Sequence, residues 1–124
     1  KASLHEGGIR VPTILRWPGV VEADSRISQL GGFIDLHPTL CAIAGVDVPP
    51  DAEMDGVDIS PGWRGEKDVP RTLLFRQGSS RAVRQGDWKW IDGHVYNLEN
   101  DPGEKKDLVE DEPERAEKLK AVSR

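Results

Sequence analysis

The stretch TLLFRQGSSRAVRQGDWKWIDGHVYNL, residues 72–98, decides the fold of this 124-residue chain. Short runs of β-branched, aromatic and apolar residues are separated here by turn residues, among them Gly86 and Gly93. Because the runs are short and follow one another closely, an antiparallel meander is the simplest arrangement. The predicted strands are Thr72–Arg76, Arg81–Arg84, Trp88–Ile91 and His94–Leu98.

The sheet is followed by a turn signal and a helix. Asn100-Asp101-Pro102-Gly103 is typical of a turn. Pro113 suits the first turn of a helix, which predicts a closing helix over 112–122. Sheet and helix give an α+β fold, with residues 71–124 as a C-terminal subdomain and residues 51–70, rich in proline and acidic residues, as a connecting loop.

Residues 1–50 carry a second, separate pattern. Ile9–Trp17 is rich in β-branched and apolar residues and ends at a Pro-Gly turn, which predicts a strand; Pro12 places it at a sheet edge. A short helix is predicted from Ile34 to Gly45, with Asp35 as N-cap and Pro38 in the first turn. Its apolar residues Leu36, Leu40 and Ile43 fall on one face.

Charge and composition exclude several function classes. The chain has 17 Lys and Arg against 22 Asp and Glu, a net charge of −5, which argues against nucleic acid as a partner. It contains no run of 18 apolar residues and no signal-peptide pattern, so we expect no membrane partner. Cys41 is the only cysteine, which excludes a disulfide within the chain and a cysteine-clustered zinc site.

The spacing of the candidate residues along the sequence does not by itself indicate a catalytic site. His5, His37 and His94 lie far apart in sequence, without the spacing of a helical metal pair. Trp88 and Trp90 share one face of a predicted strand, so they form either a sugar-stacking platform or part of the core, and Lys89 points the other way.

Several motifs spread from end to end of the chain are more specific in combination than any one alone. They are K-x(4)-E-G-G-x-R-x-P at Lys1–Pro12, W-P-G at Trp17–Gly19, D-x-x-P-T-L at Asp35–Leu40, D-G-x-D at Asp55–Asp58, R-x-G-D-W-K at Arg84–Lys89 and Y-N-L-x-x-D-P-x-E at Tyr96–Glu104. Together they resemble the C-terminal portion of a type I (arylsulfatase-like, formylglycine-dependent) sulfatase, in the alkaline phosphatase superfamily. The resemblance implies that residues 1–50 are the end of the catalytic α/β domain.

The resemblance implies sulfate ester hydrolysis by a formylglycine, made from a Cys or Ser in a C/S-x-P/A-x-R motif, beside a bound calcium. Both elements precede Lys1 in the family. Cys41 is followed by Ala42-Ile43-Ala44 and does not match the motif. We therefore expect this chain to be inactive alone, with the nucleophile, calcium and formylglycine supplied by the full-length enzyme and none of them held here.

One catalytic position of the family carries over by resemblance. The lysine five residues before the E-G-G glutamate is Lys1, whose role would be to bind a sulfate oxygen of the substrate and stabilise its developing negative charge. The alternative is a solvated lysine without a role.

The resemblance also implies partners and a location. We expect a sulfated small molecule or glycan as substrate, the missing N-terminal catalytic domain as a partner, and a periplasmic or secreted enzyme. The edge of the strand at Ile9–Trp17 would be unpaired in this chain and could support self-association.

Two other functions remain open at this point. A phosphate or phosphonate monoester hydrolase of the same superfold would need a similar cationic pocket. A non-catalytic glycan-binding module would use Trp88, Trp90 and Lys89.

Overall fold

A computed structural model describes residues 3–49 and 51–123. The predicted α+β class is confirmed: four antiparallel strands form one sheet in sequence order. The strands are β1 Thr72–Gln77, β2 Ser80–Gln85, β3 Trp88–Ile91 and β4 His94–Asn97. The helices are α1 Glu6–Ile9, α2 Phe33–Ala44, α3 Ser60–Trp63 and α4 Pro113–Val122.

The described residues group into two compact units. Residues 3–13 join 72–123 in the first, which we call the sheet unit. Residues 14–49 and 51–71 make up the second, which we call the helix unit. The predicted domain limits at residues 50 and 70 stay predictions.

The tight turns of the sheet explain its register. Gln85 faces Trp88 across a two-residue turn, and Ile91 faces His94 across another. Gly86 has φ 58° and Gly93 φ 105°, values that favour glycine and suit the turns of short hairpins. These turns fix which side chains of β2, β3 and β4 stand opposite one another.

Both faces of the sheet are covered. On one face, Val83, Trp90 and Val95 pack against α4, where Leu119 is 2% exposed. On the other face, Leu4 packs on the strands; its buried neighbours are Ala82, Ile91, Tyr96 and Leu98. The N-terminal segment therefore completes the second layer of the sheet unit.

The predicted strand at Ile9–Trp17 is wrong. The chain forms a single helical turn, α1, and residues 10–17 have no regular structure. Pro12 removes a backbone donor that a strand would need, and Ile14 is 95% exposed, so the β-branched composition has no packing partner here. Self-association through this edge stays a prediction, without a strand at these residues to support it.

The predicted helix at 34–45 exists, but its first turn differs. It begins at Phe33, so Asp35 lies inside the helix and is not the N-cap. The Asp35 carboxylate instead accepts a hydrogen bond from the backbone N–H of Gly32 at 2.8 Å. Gly45, with φ 65°, ends the helix as expected.

Within residues 3–49 and 51–123, no helix is both long enough and apolar enough to cross a bilayer.

Candidate functional site

Two basic side chains of the R-x-G-D-W-K motif stand directly opposite each other in the sheet. The hairpin turn pairs Arg84 of β2 with Lys89 of β3. Like charges in facing positions on neighbouring strands repel and destabilise a sheet. The arrangement therefore requires anions against both side chains.

Glu6 of the E-G-G motif is the first of these anions. Its Oε2 accepts a hydrogen bond from Nη1 of Arg84 at 2.8 Å, and its Oε1 accepts one from Nζ of Lys89 at 2.9 Å. Glu6 and Lys89 are 83 positions apart in the sequence. The two motifs therefore meet as one structural feature.

Glu104, the last residue of the Y-N-L-x-x-D-P-x-E motif, is the second anion. Its Oε1 lies 2.8 Å from Nζ of Lys89. The two groups form an ion pair, but their geometry is not that of a hydrogen bond. Its Oε2 accepts the backbone N–H of Glu6 at 2.7 Å and lies 3.2 Å from Nδ1 of His5. We call Glu6, Arg84, Lys89 and Glu104 the charge cluster.

The charge cluster is electrically balanced, with two carboxylates against two cations, and all of its side chains except that of Arg84, which is 20% exposed, are buried. The side chain of Lys89 is 0% exposed, that of Glu104 3% and that of Glu6 5%. Taking ions out of water is costly, and close opposite charges with additional hydrogen bonds offset that cost. Every carboxylate oxygen already has a cation or an N–H against it, so the cluster holds chain segments together and leaves no free base for proton transfer.

A strained turn presents Glu104 to the cluster. Glu104 has φ 52°, in the left-handed region that residues with side chains rarely adopt. The Asp101 carboxylate accepts the backbone N–H groups of Lys105 at 2.6 Å and Lys106 at 2.8 Å, and Asn97 accepts others in the same turn. The Asn and Asp of the motif therefore stabilise the backbone that positions its Glu.

Gly8 explains why the E-G-G segment needs a glycine. A Cβ at Gly8 would overlap the backbone carbonyl of Ser3. The turn is closed by hydrogen bonds from the N–H of Gly8 to the carbonyl of His5 at 2.8 Å and from the N–H of Arg10 to the carbonyl of Glu6 at 2.9 Å. The segment before Glu6 is thus folded back tightly on the segment after it.

A second polar cluster lies in the helix unit. Asp35 and Thr39, four residues apart, share the buried face of α2. Oδ1 of Asp35 accepts the N–H of Val57 at 3.0 Å, and Oγ1 of Thr39 accepts the N–H of Ile59 at 3.0 Å. The D-x-x-P-T-L helix therefore binds the backbone of the D-G-x-D loop.

A close backbone contact and an ion pair complete this second polar cluster. A Cβ at Gly56 would overlap the backbone carbonyl of Ile34. This carbonyl has no hydrogen-bond donor within α2, because Pro38, four residues later, lacks an N–H. Nη2 of Arg71 lies 2.7 Å from Oδ1 of Asp35, and the Arg71 side chain is 10% exposed. Asp35 is thus the single counter-ion found for a nearly buried guanidinium among the described residues.

Two titrating groups of the sheet unit have displaced pKa values. Burial raises the pKa of Tyr96, and nearby carboxylates raise it further. For Asp107, burial alone would raise the pKa, but hydrogen bonds from His94 and from the N–H groups of Val95 and Val109 outweigh it and hold the pKa below its usual value. Both groups are therefore in the charge state that their surroundings stabilise at neutral pH.

The two tryptophans do not form an open platform. Trp90 is 8% exposed and packs in the core beneath α4. The guanidinium of Arg115 lies 4.0 Å from the centre of the Trp88 ring and covers it. Lys89 points to the opposite face, as predicted, but it is buried there.

Other predicted residues do not converge on a reactive site. Lys1 lies outside the described residues, so its role as catalytic and substrate-binding residue stays a prediction. Cys41 is a partly buried free thiol on α2. Within the part of the chain that the structure describes, no three His, Cys, Asp or Glu residues are grouped to hold a metal ion. The described residues therefore do not fit a calcium site.

Comparisons with known proteins agree with these motifs. The family profile described as "N-sulphoglucosamine sulphohydrolase, C-terminal" matches residues 1–77. The chain belongs to the sulfatase family. It corresponds to the C-terminal part of these proteins.

Similar sulfatases cover most of the chain. Arylsulfatase G of Rattus norvegicus is 30% identical over 152 aligned residues, with 100% of this chain and 29% of the relative covered. N-acetylgalactosamine-6-sulfatase of Canis lupus familiaris is 36% identical over 90 residues, covering 72% of this chain and 17% of the relative. The solved structure of Ps i-CgsB is 26% identical with a TM-score of 0.71, covering 83% of this chain and 25% of that one. The chain thus spans less than a third of each of these three proteins.

The charge cluster was not predicted, although each of its residues lies in a motif of the sulfatase resemblance. One signal was available: alternation along β3 places Lys89 on the face opposite the tryptophans. The alternation does not show that the N-terminal segment covers that face. The partners of Lys89 are set by contacts that are distant in sequence.

Proposed function

We propose that this chain is the C-terminal part of an enzyme that hydrolyses sulfate esters, and that it is catalytically incomplete alone. The observation that carries the proposal is the family match over residues 1–77, which begins at the lysine of the K-x(4)-E-G-G motif. The relatives named above, arylsulfatase G and N-acetylgalactosamine-6-sulfatase, support the reaction class.

Lys1 is the residue of this chain that acts on the substrate in this proposal. Cleavage of the ester leaves negative charge on the sulfate oxygens and on the leaving oxygen, and a fixed ammonium group stabilises that charge more in the transition state than in the ground state. Formylglycine would supply the nucleophile and calcium would bind the sulfate; both belong to the part of the enzyme that precedes Lys1.

The substrate class is a sulfated small molecule or glycan. Ps i-CgsB, the structural relative, has also been solved in complex with k-i-k-neocarrahexaose, which supports a glycan. A periplasmic or secreted location is part of the same proposal.

Assays of the full-length protein test the reaction class. Sulfate and phosphate release would be measured by ion chromatography from matched esters: an aryl sulfate, an aryl phosphate, an aryl phosphonate and sulfated oligosaccharides, with and without calcium. We expect sulfate release that depends on calcium. Faster release of phosphate or phosphonate would instead favour the hydrolase of the same superfold, and no turnover of any ester would contradict an enzyme.

Lys1→Ala is the first prediction for the full-length enzyme. We expect kcat/KM for the best sulfate ester to fall on the order of 10²- to 10³-fold, the usual effect of removing one group that stabilises transition-state charge. The thermal midpoint should be unchanged. Lys67→Ala, an exposed lysine of the helix unit, is the matched control. Unchanged kinetics for Lys1→Ala would remove Lys1 from the mechanism.

A further inference from the structure

We propose that Arg76, Arg81 and Lys120, at the end of the β1–β2 hairpin beside the end of α4, bind a sulfate group of a sulfated glycan. We call these three residues the basic site. The inference rests on the proposed function only for the source of the sulfate group. It deepens that proposal by naming residues that would recognise the glycan.

The argument starts from a second pair of basic side chains that stand opposite each other in the sheet. The register places Arg76 of β1 directly across from Arg81 of β2. Like charges in facing positions destabilise a sheet. In the charge cluster, two carboxylates neutralise the corresponding pair, Arg84 and Lys89. The pair at the end of the hairpin needs anions for the same reason.

The described part of the chain does not supply a carboxylate to this pair. The arginines that form ion pairs within residues 3–49 and 51–123 are Arg64, Arg71, Arg84 and Arg115. Asp92 is the carboxylate bonded closest to the pair, and its Oδ1 accepts the backbone N–H of Arg81 at 2.8 Å. An anion from outside these residues would therefore relieve the repulsion between Arg76 and Arg81.

α4 brings a third cation to the same face of the sheet. Arg81 shares a face with Val83, which packs against α4, because side chains alternate along β2. Lys120, in the last turn of α4, lies 3.1 Å from Glu117, but the two side chains are 49% and 73% exposed. Such an exposed ion pair contributes little, so Lys120 can exchange Glu117 for a ligand at low cost.

A cavity joins these cations. Its volume is about 430 Å³, and Arg81, Lys120, Trp90 and Asp92 are among its lining residues. A smaller cavity of about 100 Å³ shares Arg81 with it and is also lined by Arg76. The larger volume falls within the range of about 300–1,000 Å³ that is usual for sites of small organic ligands. The space therefore suits a sugar unit that carries a sulfate group.

Arg81 is oriented toward this cavity from both ends. Its backbone is held by Asp92, and its Nη1 donates to the carbonyl of Ser123 at 3.3 Å. The remaining guanidinium N–H groups form the planar fork that matches two oxygens of an oxyanion. Three cations against the carboxylates of Asp92 and Glu117 leave the site with one net positive charge, which favours an anionic ligand.

Hydrogen exchange of the full-length protein tests the basic site directly. The probes are neocarrahexaose, a chondroitin sulfate hexasaccharide, each of them after chemical desulfation, and inorganic sulfate. We expect at least one sulfated hexasaccharide to slow exchange of the amides at 77–81 and 119–123, and its desulfated form to have no effect. Lack of protection by both sulfated hexasaccharides would overturn the proposal. Equal protection by inorganic sulfate at the same concentration would overturn the glycan as the source of the sulfate group.

Arg81→Gln tests the residue at the centre of the basic site. The hexasaccharide concentration for half-maximal protection should rise at least about 10-fold, because hydrogen bonds to a charged group are lost. Arg26→Gln, which makes the same charge change at an exposed arginine of the helix unit, should alter it less than about 2-fold. Equal weakening by the two variants would indicate attraction by net charge alone and would overturn the site.

Arg76→Gln separates binding from a structural role. It removes the repulsion between facing arginines, so the thermal midpoint should not fall, while binding should weaken at least about 3-fold. A lower midpoint with unchanged binding per folded molecule would show a structural role and contradict the proposal.

The outcomes also separate this inference from the proposed function. Protection at the basic site in a protein that hydrolyses no sulfate ester would support the site and refute the enzyme. Sulfate release without protection at 77–81 and 119–123 would overturn the basic site alone.

Discussion

Lys89→Met is expected to destabilise the sheet unit by about 3–5 kcal/mol, because it removes one partner from a buried ionic cluster and leaves a carboxylate uncompensated. Lys89 is fully buried between Glu6 and Glu104, with its side chain 0% exposed to solvent. Hydrogen exchange of the β2 and β3 amides in the full-length protein would measure the loss as a lower local free energy of opening.

The same substitution at an exposed lysine is the matched control. Lys118→Met, on the outer side of α4, should change the opening free energy by less than about 0.5 kcal/mol. Equal protection in Lys89→Met and Lys118→Met would show that the charge cluster contributes nothing to the stability of the sheet unit.

Asp35→Ala is expected to destabilise the helix unit by a similar amount, about 3–5 kcal/mol. It removes the counter-ion of Arg71 and leaves the backbone N–H groups of Gly32 and Val57 without their acceptor. The loss should appear as faster hydrogen exchange of the α2 amides and a lower thermal midpoint.

Asp55→Ala is the control for this prediction. Asp55 is an exposed carboxylate in the loop that Asp35 binds, so its removal changes the net charge by the same amount and should change the stability little. An Asp35→Ala variant as protected as Asp55→Ala would contradict a stabilising role for the buried carboxylate.

The sheet could be predicted because its signals are local. Alternation in β1 to β4 and the glycines of the hairpin turns are read from neighbouring residues, and the structure confirms all four strands. The closing helix follows from Pro113 in the same way. Local patterns also led to the wrong prediction of a strand at residues 9–17. Their β-branched composition indicates a propensity for strand, but it does not show that a partner strand is present.

The charge cluster could not be predicted from these patterns. A lysine between two tryptophans on a strand normally faces water. Lys89 is buried because a segment more than 80 positions away crosses its face and brings a carboxylate. Likewise, the sequence around Asp35 predicts an N-cap, but Asp35 lies inside α2 and binds the backbone of Val57, 22 positions later. Both roles follow from tertiary packing.

The coupling between Glu6 and Lys89 tests most directly that the sulfatase motifs meet in one stabilising ionic cluster. Glu6→Gln, Lys89→Met and the double variant would be compared with wild type by hydrogen exchange of the β2 and β3 amides in the full-length protein. We expect the double variant to lose at least about 1 kcal/mol less than the sum of the two single losses, because each single variant leaves the charge cluster with a net charge and the double variant does not. Additive losses would contradict a direct ionic link between the two motifs.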